Sequence, residues 1–420
     1  MPNLKTVTLG CKVNQYETEY VRQGLARLGY REAERGEAAD LCIVNTCTVT
    51  VESDAKSRKA IRQLHRQYPQ AEIIVMGCYA TRAADEVGAL PGVVEVLTDK
   101  RQLPDLLARF GLIDIPTGIS TFGSRHRAYV KVQDGCRMAC SYCIIPLVRP
   151  VLHSRPVDEV LAEIRRLTDH GHREIVLTGI HLGHYGVDLG DGAPDLARLV
   201  RRICQLDGPF RVRISSIEAA EVTPELLAVM ADRADRVCPH LHISMQSGSD
   251  AVLRRMQRRV PVRQFLKRCE EVRHVLGRAA LTTDVIVGFP GETEEEFAAT
   301  CRVVEAVGFA KLHVFRFSPR QGTPAAGLPD RVPGAVQQRR AAELIAIGRR
   351  LRTQYFEGLI GRPLQVLVES PAAEHPGYVL GTSGEYAPVE LPGDGQYLGR
   401  LVQVTAKKVV AERIIATFGW

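Results

Sequence analysis

Three cysteines in the middle of the chain form the strongest candidate for a reactive site. Cys136, Cys140 and Cys143 have the spacing Cys-x3-Cys-x2-Cys, so three thiolates lie within eight residues. Soft sulfur ligands suit an iron-sulfur cluster or zinc. Asp134 and Arg137 make the segment a polar loop, which argues against three packed core cysteines. We favour an iron-sulfur cluster over zinc with a fourth ligand elsewhere, and such a cluster leaves one iron open to a chelating cofactor.

A second set of cysteines is scattered in the sequence but shares one structural position. Cys11 follows LKTVTLG, Cys47 follows LCIVNT and Cys78 follows EIIVMG, so each stands just after a predicted strand. In a parallel sheet these strand ends share one edge, where ligands bind. We interpret the three as a second cluster site with one iron open to a sulfur species; the alternative is three buried, small apolar side chains. The remaining cysteines are expected in the core or in structural roles: Cys42, Cys204, Cys238, Cys269 and Cys301.

The elements that must position the second set alternate along the first hundred residues. Apolar runs at residues 4–9, 41–45, 72–77 and 93–97 predict strands, and runs at 17–28, 53–64 and 101–110 predict helices. This alternation is typical of a doubly wound parallel α/β domain. We place this domain at residues 1–115, followed by a Pro, Gly and Ser-rich linker at 111–127.

The central triplet belongs to a second alternating series. Strands are predicted at residues 128–133, 174–178, 212–217, 240–245, 281–287 and 311–317, with helices such as 157–169 and 294–307 between them. The pattern predicts a partial (β/α) barrel at residues 122–350, with its active site at the carboxyl ends of the strands. After a helical run at 336–358, short runs at 363–369, 378–382, 389–391 and 398–407 predict a small antiparallel β barrel of the OB type at 355–420.

Composition and charge limit the classes of protein that fit. The chain has 420 residues, of which 45% are hydrophobic and 25% charged, as in globular proteins that bury a sizeable core. The N-terminus lacks the pattern of a secretory signal and no apolar run is long enough to span a membrane, so we expect a cytoplasmic protein with no membrane partner.

Basic side chains are concentrated in two runs, residues 254–273 and 331–352, which could bind RNA phosphates or be solvated helix faces. Residues 361–420 of the terminal barrel carry five basic and six acidic residues, so we expect any RNA contact there near Lys407 and Lys408.

Nine motifs in order resemble the radical S-adenosylmethionine (SAM) methylthiotransferase family: TLGCKVNQYETE, NTCTVT, MGCYA, DGCRMACSYCIIP, LTGIHLGHYG, SSIEA, MQSGSD, DVIVGFPGETEEEF and FSPRQGTPAA. The resemblance covers nearly the whole chain and identifies the terminal barrel as a TRAM domain. Family members act on isopentenyladenosine in tRNA, on threonylcarbamoyladenosine in tRNA, or on an aspartate of a ribosomal protein. The runs GCKVNQYE, NTCTVT and GIHLGHYG favour the threonylcarbamoyladenosine branch.

The resemblance implies cofactors, partners and a reaction. Two 4Fe-4S clusters and SAM are expected. One SAM methylates sulfur held at the N-terminal cluster, and another yields the radical that takes hydrogen from C2 of the adenine. The partners implied are tRNA, a reductant protein of the flavodoxin or ferredoxin type and a sulfur donor. The two clusters are expected to approach each other across the interface of the first two domains.

Residues that contact SAM are expected near the triplet and after later barrel strands. The glycines among them could equally serve ordinary turns. One departure from the family is Pro150, which replaces the usual glycine after Arg149 and restricts the backbone. The expected SAM contacts are Tyr142, Thr178, Gly179, Glu218, Gln246, Asp284 and Gly288.

Two other readings remain open. A protein methylthiotransferase acting on a ribosomal protein would suit the non-basic terminal barrel. A non-catalytic RNA-binding protein with structural zinc would hold zinc in place of iron and sulfide.

Overall fold

The computed structural model describes residues 1–34, 36–123, 125–190 and 192–418. Its first unit is a five-stranded, wholly parallel sheet with the order β2-β1-β3-β4-β5. The β3 strand, LCIVNT, is buried along its whole length, as expected for a central strand covered on both faces. The elements are β1 (Asn3–Thr8), α1 (Lys12–Arg27), β2 (Arg31–Glu32), β3 (Leu41–Thr46), α2 (Val51–Gln67), β4 (Glu72–Gly77), α3 (Cys78–Arg82), α4 (Ala84–Gly88), β5 (Val93–Val96) and α5 (Leu103–Arg109).

Two separate apolar layers cover the faces of this sheet. Side chains of α1 and α5 pack on one face, and side chains of α2, α3 and α4 pack on the other. At the start of α2 the Thr50 hydroxyl accepts a hydrogen bond from the Ser53 amide at 3.1 Å, which caps the helix directly after the Cys47 loop. The doubly wound fold predicted from the alternation of strands and helices is confirmed.

The central unit contains two four-stranded sheets, β7-β6-β8-β9 and β10-β11-β12-β13. All pairs in them are parallel except β6 with β7. The elements are β6 (Arg127–Asp134), α6 (Ile145–Val148), β7 (His153–Ser154), α7 (Val157–Asp169), β8 (Glu174–Gly179), α8 (Leu196–Ile203), β9 (Arg211–Ile214), β10 (Ser216–Ile217), α9 (Pro224–Asp232), β11 (His240–Ile243), α10 (Asp250–Arg255), α11 (Val262–Leu276), β12 (Ala280–Val287), α12 (Glu294–Val307), β13 (Lys311–Arg316) and α13 (Gly334–Glu357).

The strand predicted at residues 212–217 is two strands. Ile214 still pairs with Leu177 of β8, whereas Ser216 pairs with His242 of β11. The chain therefore changes its partner strand at Ser215, and the partial barrel is divided there into its two sheets. A sequence run of apolar residues cannot show such a change, because both halves keep the same alternation.

The first two units share one continuous core, and the linker between them takes part in it. Helix α1 packs on β6 and β8, and Tyr16 donates a hydrogen bond to Glu163 of α7 at 2.9 Å. Ile119 and Phe122 of the linker are buried, and the Ile119 amide donates to the same carboxylate at 2.7 Å. The segment predicted as a linker is thus packed against both units.

The last unit is a closed barrel of five strands in the order β14-β15-β16-β18-β17, in which only β16 and β18 pair in parallel. The small barrel is as predicted, except that the sequence runs did not single out β18. The strands are β14 (Pro363–Pro371), β15 (Tyr378–Ser383), β16 (Pro388–Pro392), β17 (Leu401–Val410) and β18 (Arg413–Phe418).

The terminal barrel is attached to the amino ends of the central strands. Arg211 donates to the Gln365 and Thr382 carbonyls at 2.6 and 2.8 Å, and Arg213 donates to the Gly384 carbonyl at 2.8 Å. Tyr386 lies against His240 with ring centroids 4.9 Å apart, and the Arg213 guanidinium lies 4.9 Å from its ring centre. The barrel therefore closes the end of the central unit opposite to the carboxyl ends of the strands.

Among the described residues, none of the helices combines the length and the apolar character that crossing a bilayer requires.

Candidate functional site

The three N-terminal cysteines meet at one edge of the first sheet. Cys11 follows β1, Cys47 follows β3 and Cys78 begins α3 directly after β4, and these three strands are neighbours. Cys78 acts electrostatically on both Cys11 and Cys47, so the three sulfur atoms share one small region. The edge predicted from the parallel topology is therefore the place where they come together.

Two glycines allow this approach. A Cβ on Gly10 would lie 2.9 Å from the Cβ of Cys47, and one on Gly77 would lie 2.3 Å from the Thr46 carbonyl oxygen. Both residues have positive φ, 102° and 100°, a region in which side chains are strained. The tight turns before Cys11 and Cys78 depend on these glycines.

A buried arginine links this set to the segment after the central triplet. Arg149 donates from Nε to the Cys78 sulfur at 3.4 Å and from its two terminal nitrogens to Glu17 at 2.8 Å. It also donates to Asp134 at 2.8 Å. Burial opposes the charge, but Asp134 and Glu17 raise the pKa of Arg149 well above its usual value. Pro150 leaves this network intact.

The central triplet lies at the carboxyl end of β6. The loop is fixed from outside: the Ser141 amide donates to the Met256 carbonyl at 3.0 Å, and the Ser141 hydroxyl donates to the Arg255 carbonyl at 2.7 Å. Within the loop, the Met138 amide donates to the Cys136 sulfur at 3.4 Å. Cys140 and Cys136 both act electrostatically on Cys143, so these sulfur atoms are close together.

Two ion pairs contact the triplet. His181 Nδ1 lies 3.5 Å from the Cys136 sulfur, and its Nε2 lies 2.5 Å from Glu221. Arg258 donates to the Cys140 sulfur at 3.9 Å and to Glu218 at 2.9 Å. Sequence reasoning missed His181 as part of the site, although it lies in the LTGIHLGHYG motif.

A cavity of about 200 Å³ adjoins all three cysteines of the triplet. Three of the expected SAM contacts line it: Tyr142, Glu218 and Gln246. Gln246 has a φ of 67°, and its backbone bonds to Asp284 and Ile286 of β12 hold it in this strained conformation. Strained residues that are fixed in this way cluster at functional sites.

The other expected SAM contacts lie elsewhere. Asp284 lines a neighbouring cavity, and its carboxylate is 3.3 Å from His242 Nε2. Thr178 is buried in β8, and Gly179 packs against the Gln133 side chain. The Gly288 amide donates to Glu292 at 2.7 Å, in a turn with a φ of 71°. Neither of the two cavities near the triplet is lined by Thr178, Gly179 or Gly288.

The neighbouring cavity, also about 200 Å³, is lined by residues that follow Cys47 and by part of the triplet loop. Val49 and Thr50, just after Cys47, contribute to its lining, as do Tyr142 and Cys143. Just after Cys143, Ile144 and Val148 pack with Cys78 of the N-terminal set. Segments next to both cysteine sets therefore meet here, in agreement with the expected approach of two clusters.

The donor set fits two metal centres of soft ligands, with three sulfur atoms in each. Burial raises the pKa of Cys143 to about 12, so a metal must displace the proton from this thiol. Arg149 and Arg258 donate hydrogen bonds to sulfur, as expected beside anionic thiolates. Among the described residues, the group whose ligand atoms all lie within 4.8 Å of one another is His181, His184 and Glu221. Neither cysteine set forms such a group, so the sulfur atoms are spaced more widely than a single zinc ion requires.

Two family profiles match the chain. That of the radical SAM superfamily matches residues 130–304, which include the triplet and the strands of both central sheets up to β12. That of the uncharacterized protein family UPF0004 matches residues 3–99, which include the three N-terminal cysteines.

The fold of the central unit is found in solved radical SAM enzymes. The radical SAM methyltransferase TsrM from Kitasatospora setae, solved with cobalamin and a 4Fe-4S cluster bound, superposes with a TM-score of 0.57 over 78% of this chain and 77% of that one. At 15% identity the likeness concerns the fold alone. Fold, triplet and family profile together define a radical SAM enzyme.

Curated relatives give the family more narrowly. The chain is 39% identical to the threonylcarbamoyladenosine tRNA methylthiotransferase MtaB of Bacillus subtilis (strain 168), over 96% of this chain and 93% of the relative. It is 38% identical to the protein of that name from Chlamydia pneumoniae, over 98% and 97%. A tRNA-2-methylthio-N(6)-dimethylallyladenosine synthase of Desulfitobacterium hafniense (strain Y51) is 32% identical, over 95% and 94%. The chain belongs to the radical SAM tRNA methylthiotransferases, as its motifs predicted.

The two basic runs are mostly neutralised by ion pairs. In the second run, Arg340 is paired with Glu292 at 2.7 Å and Arg350 with Glu305 at 2.5 Å, which favours the solvated or structural reading. In the first run, Arg258 is part of the triplet site. Within the described part of the chain, the basic residues of the first run that are exposed and have no ion pair are Arg254, Arg259, Arg263 and Arg273.

The cysteines outside the two sets are buried, as predicted: Cys42, Cys204, Cys238, Cys269 and Cys301.

Proposed function

We propose that this chain attaches a methylthio group to C2 of N6-threonylcarbamoyladenosine next to the anticodon of tRNA. Identity of 39% and 38% to two relatives named for that activity, over nearly the full length of every chain, supports this substrate. Relatives named for the dimethylallyl substrate reach 36%, over 86% of this chain. The observation that carries the mechanism is the packing of Cys78, from the N-terminal set, with Ile144 and Val148, just after Cys143 of the triplet.

The cofactors are SAM and two 4Fe-4S clusters. We assign one cluster to the triplet and one to the N-terminal set. When bound, the clusters and SAM supply radical generation at the first site and a sulfur ligand at the second. The proposed ligands are Cys136, Cys140 and Cys143 for the first, and Cys11, Cys47 and Cys78 for the second.

The chain's own residues would bind and orient SAM and the adenine and shield them from water. Glu218, held by Arg258, and the strained Gln246 present polar groups to the cavity beside the triplet, where we place SAM. Tyr142 lines both cavities, and its ring lies 6.5 Å from that of Phe289. The adenine would occupy the neighbouring cavity, which Thr50, Cys143 and Asp284 line. Thr178, Gly179 and Gly288 would shape the strand ends without touching the cofactor.

We further propose the division into residues 1–115, 122–350 and 355–420, with a cytoplasmic site of action. A flavodoxin-type or ferredoxin-type reductant would supply the electrons, and a separate sulfur donor would supply the sulfur.

Anaerobic reconstitution of the full chain tests the proposal. The protein should bind two clusters, and the triple variant Cys11→Ala, Cys47→Ala, Cys78→Ala should retain one and lose sulfur insertion. Cys301→Ala, a buried cysteine outside both sets, is the matched control and should retain both. The measurements are iron and acid-labile sulfide per chain.

Substrate choice is tested with tRNA carrying either threonylcarbamoyladenosine or isopentenyladenosine, followed by mass spectrometry of the nucleosides. We expect the methylthio group on the former. Methylthiolation of isopentenyladenosine alone, or of a ribosomal protein alone, would replace the proposed substrate. A colourless protein containing zinc would overturn the radical mechanism.

A further inference from the structure

The two cysteine sets lie in different electrostatic surroundings. Around the N-terminal set, the acidic groups Glu17, Asp134 and Asp54 are outnumbered by the basic groups that contact them or the cysteines. Arg149 and Lys131 pair with Glu17 and Asp134, and Arg82 and Arg320 pair with Asp54. Lys100 is a further cation in this group, and none of the described carboxylates lies within ion-pair distance of it.

Lys100 lies close to Cys78, and Val148 contacts both residues. The Lys100 ammonium donates to the Thr81 hydroxyl and to the Val148 carbonyl at 3.2 Å, and Cys78 packs against Val148. Only 8% of the Lys100 surface is exposed. Burial lowers the pKa of Lys100, and the nearby Cys78 opposes this shift. A buried ammonium without a carboxylate is costly unless an anion compensates it, so its position beside a sulfur ligand needs an explanation.

The triplet has no comparable excess of buried positive charge: the arginines near it that lack an ion pair among the described residues, Arg137 and Arg259, are exposed. Arg258 is matched by Glu218, and His181 is matched by Glu221. A site that binds SAM must accept a sulfonium cation together with its amino and carboxylate groups, which suits near-neutral surroundings. A site that binds a thiolate or hydrosulfide beside three cysteine thiolates must accept one more negative charge.

We propose that Lys100, together with Arg149, stabilises an anionic sulfur ligand on the cluster held by Cys11, Cys47 and Cys78. Lys100 is a positioning residue: it contacts Thr81 and Val148 and acts on the ligand through its charge. The inference rests on the proposed function, because it requires a cluster with an open iron at this set. It assigns the site to thiolate or hydrosulfide in preference to a neutral sulfur compound.

The test uses methanethiolate as the probe. In the full chain with Cys136, Cys140 and Cys143 changed to alanine, the N-terminal cluster is the only one present. Titration with methanethiolate, followed by electron paramagnetic resonance of the reduced cluster, gives an apparent Kd. Lys100→Met should raise this Kd by about tenfold or more, because one nearby charge is lost from a site of low dielectric. Lys100→Arg should restore most of the affinity.

Lys59→Met is the matched control, because Lys59 is exposed on α2 and has no ion pair among the described residues. It should leave the Kd unchanged. A wild-type Kd in Lys100→Met with full iron content would overturn the inference and leave the proposed function standing. If the alanine variant binds no iron and sulfide, the proposed function fails first.

Met is close to Lys in length and removes an uncompensated buried charge, so the variant should fold. If Lys100→Met nevertheless fails to assemble the cluster, the variant Thr81→Val tests the role of Lys100 in its place. It keeps the ammonium but removes its hydroxyl contact, and we expect methanethiolate to bind several-fold more weakly. Unchanged affinity in that variant would contradict the role assigned to Lys100.

Discussion

At the scale of single residues, the backbone before each N-terminal cysteine matters as much as the thiol. Gly77 and Gly111 have almost the same φ, 100° and 97°, but differ in their surroundings. A Cβ on Gly77 would lie 2.3 Å from the Thr46 oxygen, whereas nothing lies within 4 Å of a Cβ on Gly111. The two positions therefore separate backbone strain from steric exclusion.

We expect Gly77→Ala to lower the unfolding free energy by about 3 kcal/mol or more and to lose the N-terminal cluster, because the clash moves Cys78. Gly111→Ala should cost only about 1 kcal/mol and keep both clusters. Urea unfolding and iron content per chain measure the two effects. Equal losses in both variants would show that φ alone matters and that the close approach to Thr46 does not.

The cysteines could be predicted from the sequence because each carries its own chemistry and follows a recognisable strand. Their polar partners could not. Arg149 finds Glu17 132 positions away, and Arg258 finds Glu218 40 positions away. Only the packing of separate elements creates such pairs, and in the sequence Arg258 is one basic residue in a basic run.

At the scale of elements, helix positions and most strands follow from periodicity. The predicted helices at 157–169 and 294–307 coincide with α7 and α12. The division of the barrel at Ser215 was missed, since it depends on which strand accepts each hydrogen bond. Charge runs proved the least informative, because α13 pairs its arginines with acidic groups on other elements, whereas α11 leaves Arg263 and Arg273 without an ion pair among the described residues.

The exposed arginines at the start of α11 are the better candidates for phosphate contacts. Arg259 acts electrostatically on His184, close to the triplet, and has no ion pair among the described residues. We expect Arg259→Gln to weaken tRNA binding and to reduce the slope of log K against log salt by about one. Fluorescence anisotropy at several salt concentrations measures both.

Arg350→Gln is the control for this change, because that side chain is half-exposed but paired with Glu305. It should leave the slope unaltered. If Arg350→Gln lost as much affinity for tRNA as Arg259→Gln, α13 would also have to be counted as part of the tRNA-binding surface.

At the scale of the whole molecule, one carboxylate joins two units. Glu174 is fully buried among the arginines that reach the terminal barrel, with Arg213 at 2.8 Å and Arg127 at 2.8 Å. Burial opposes its ionisation, but Arg213, Arg211 and Arg127 together hold the pKa of Glu174 well below its usual value of 4.5. Its stabilising contribution is therefore complete above about pH 4.5 and is lost as the pH falls below that value.

Replacing Glu174 by glutamine leaves Arg211 and Arg213 without a carboxylate partner and leaves Arg127 with Glu369 alone. We expect the unfolding free energy at pH 7 to fall by about 3–5 kcal/mol. Because the titrating group is gone, stability should also decline less steeply below pH 4.5 than in the wild type. Thermal unfolding across pH 3–7, with the exposed Glu225→Gln as control, measures both effects. If stability fell equally steeply below pH 4.5 in Glu174→Gln and in the wild type, the role given to Glu174 would be contradicted.

The terminal barrel determines which end of the central unit is open to the substrate. Tyr386 of the barrel covers the amino ends of the central strands. The cations of Arg213, Lys311 and Arg127 lie near its ring. A tRNA nucleotide would therefore approach from the opposite end, where the triplet loop and the N-terminal cysteines lie.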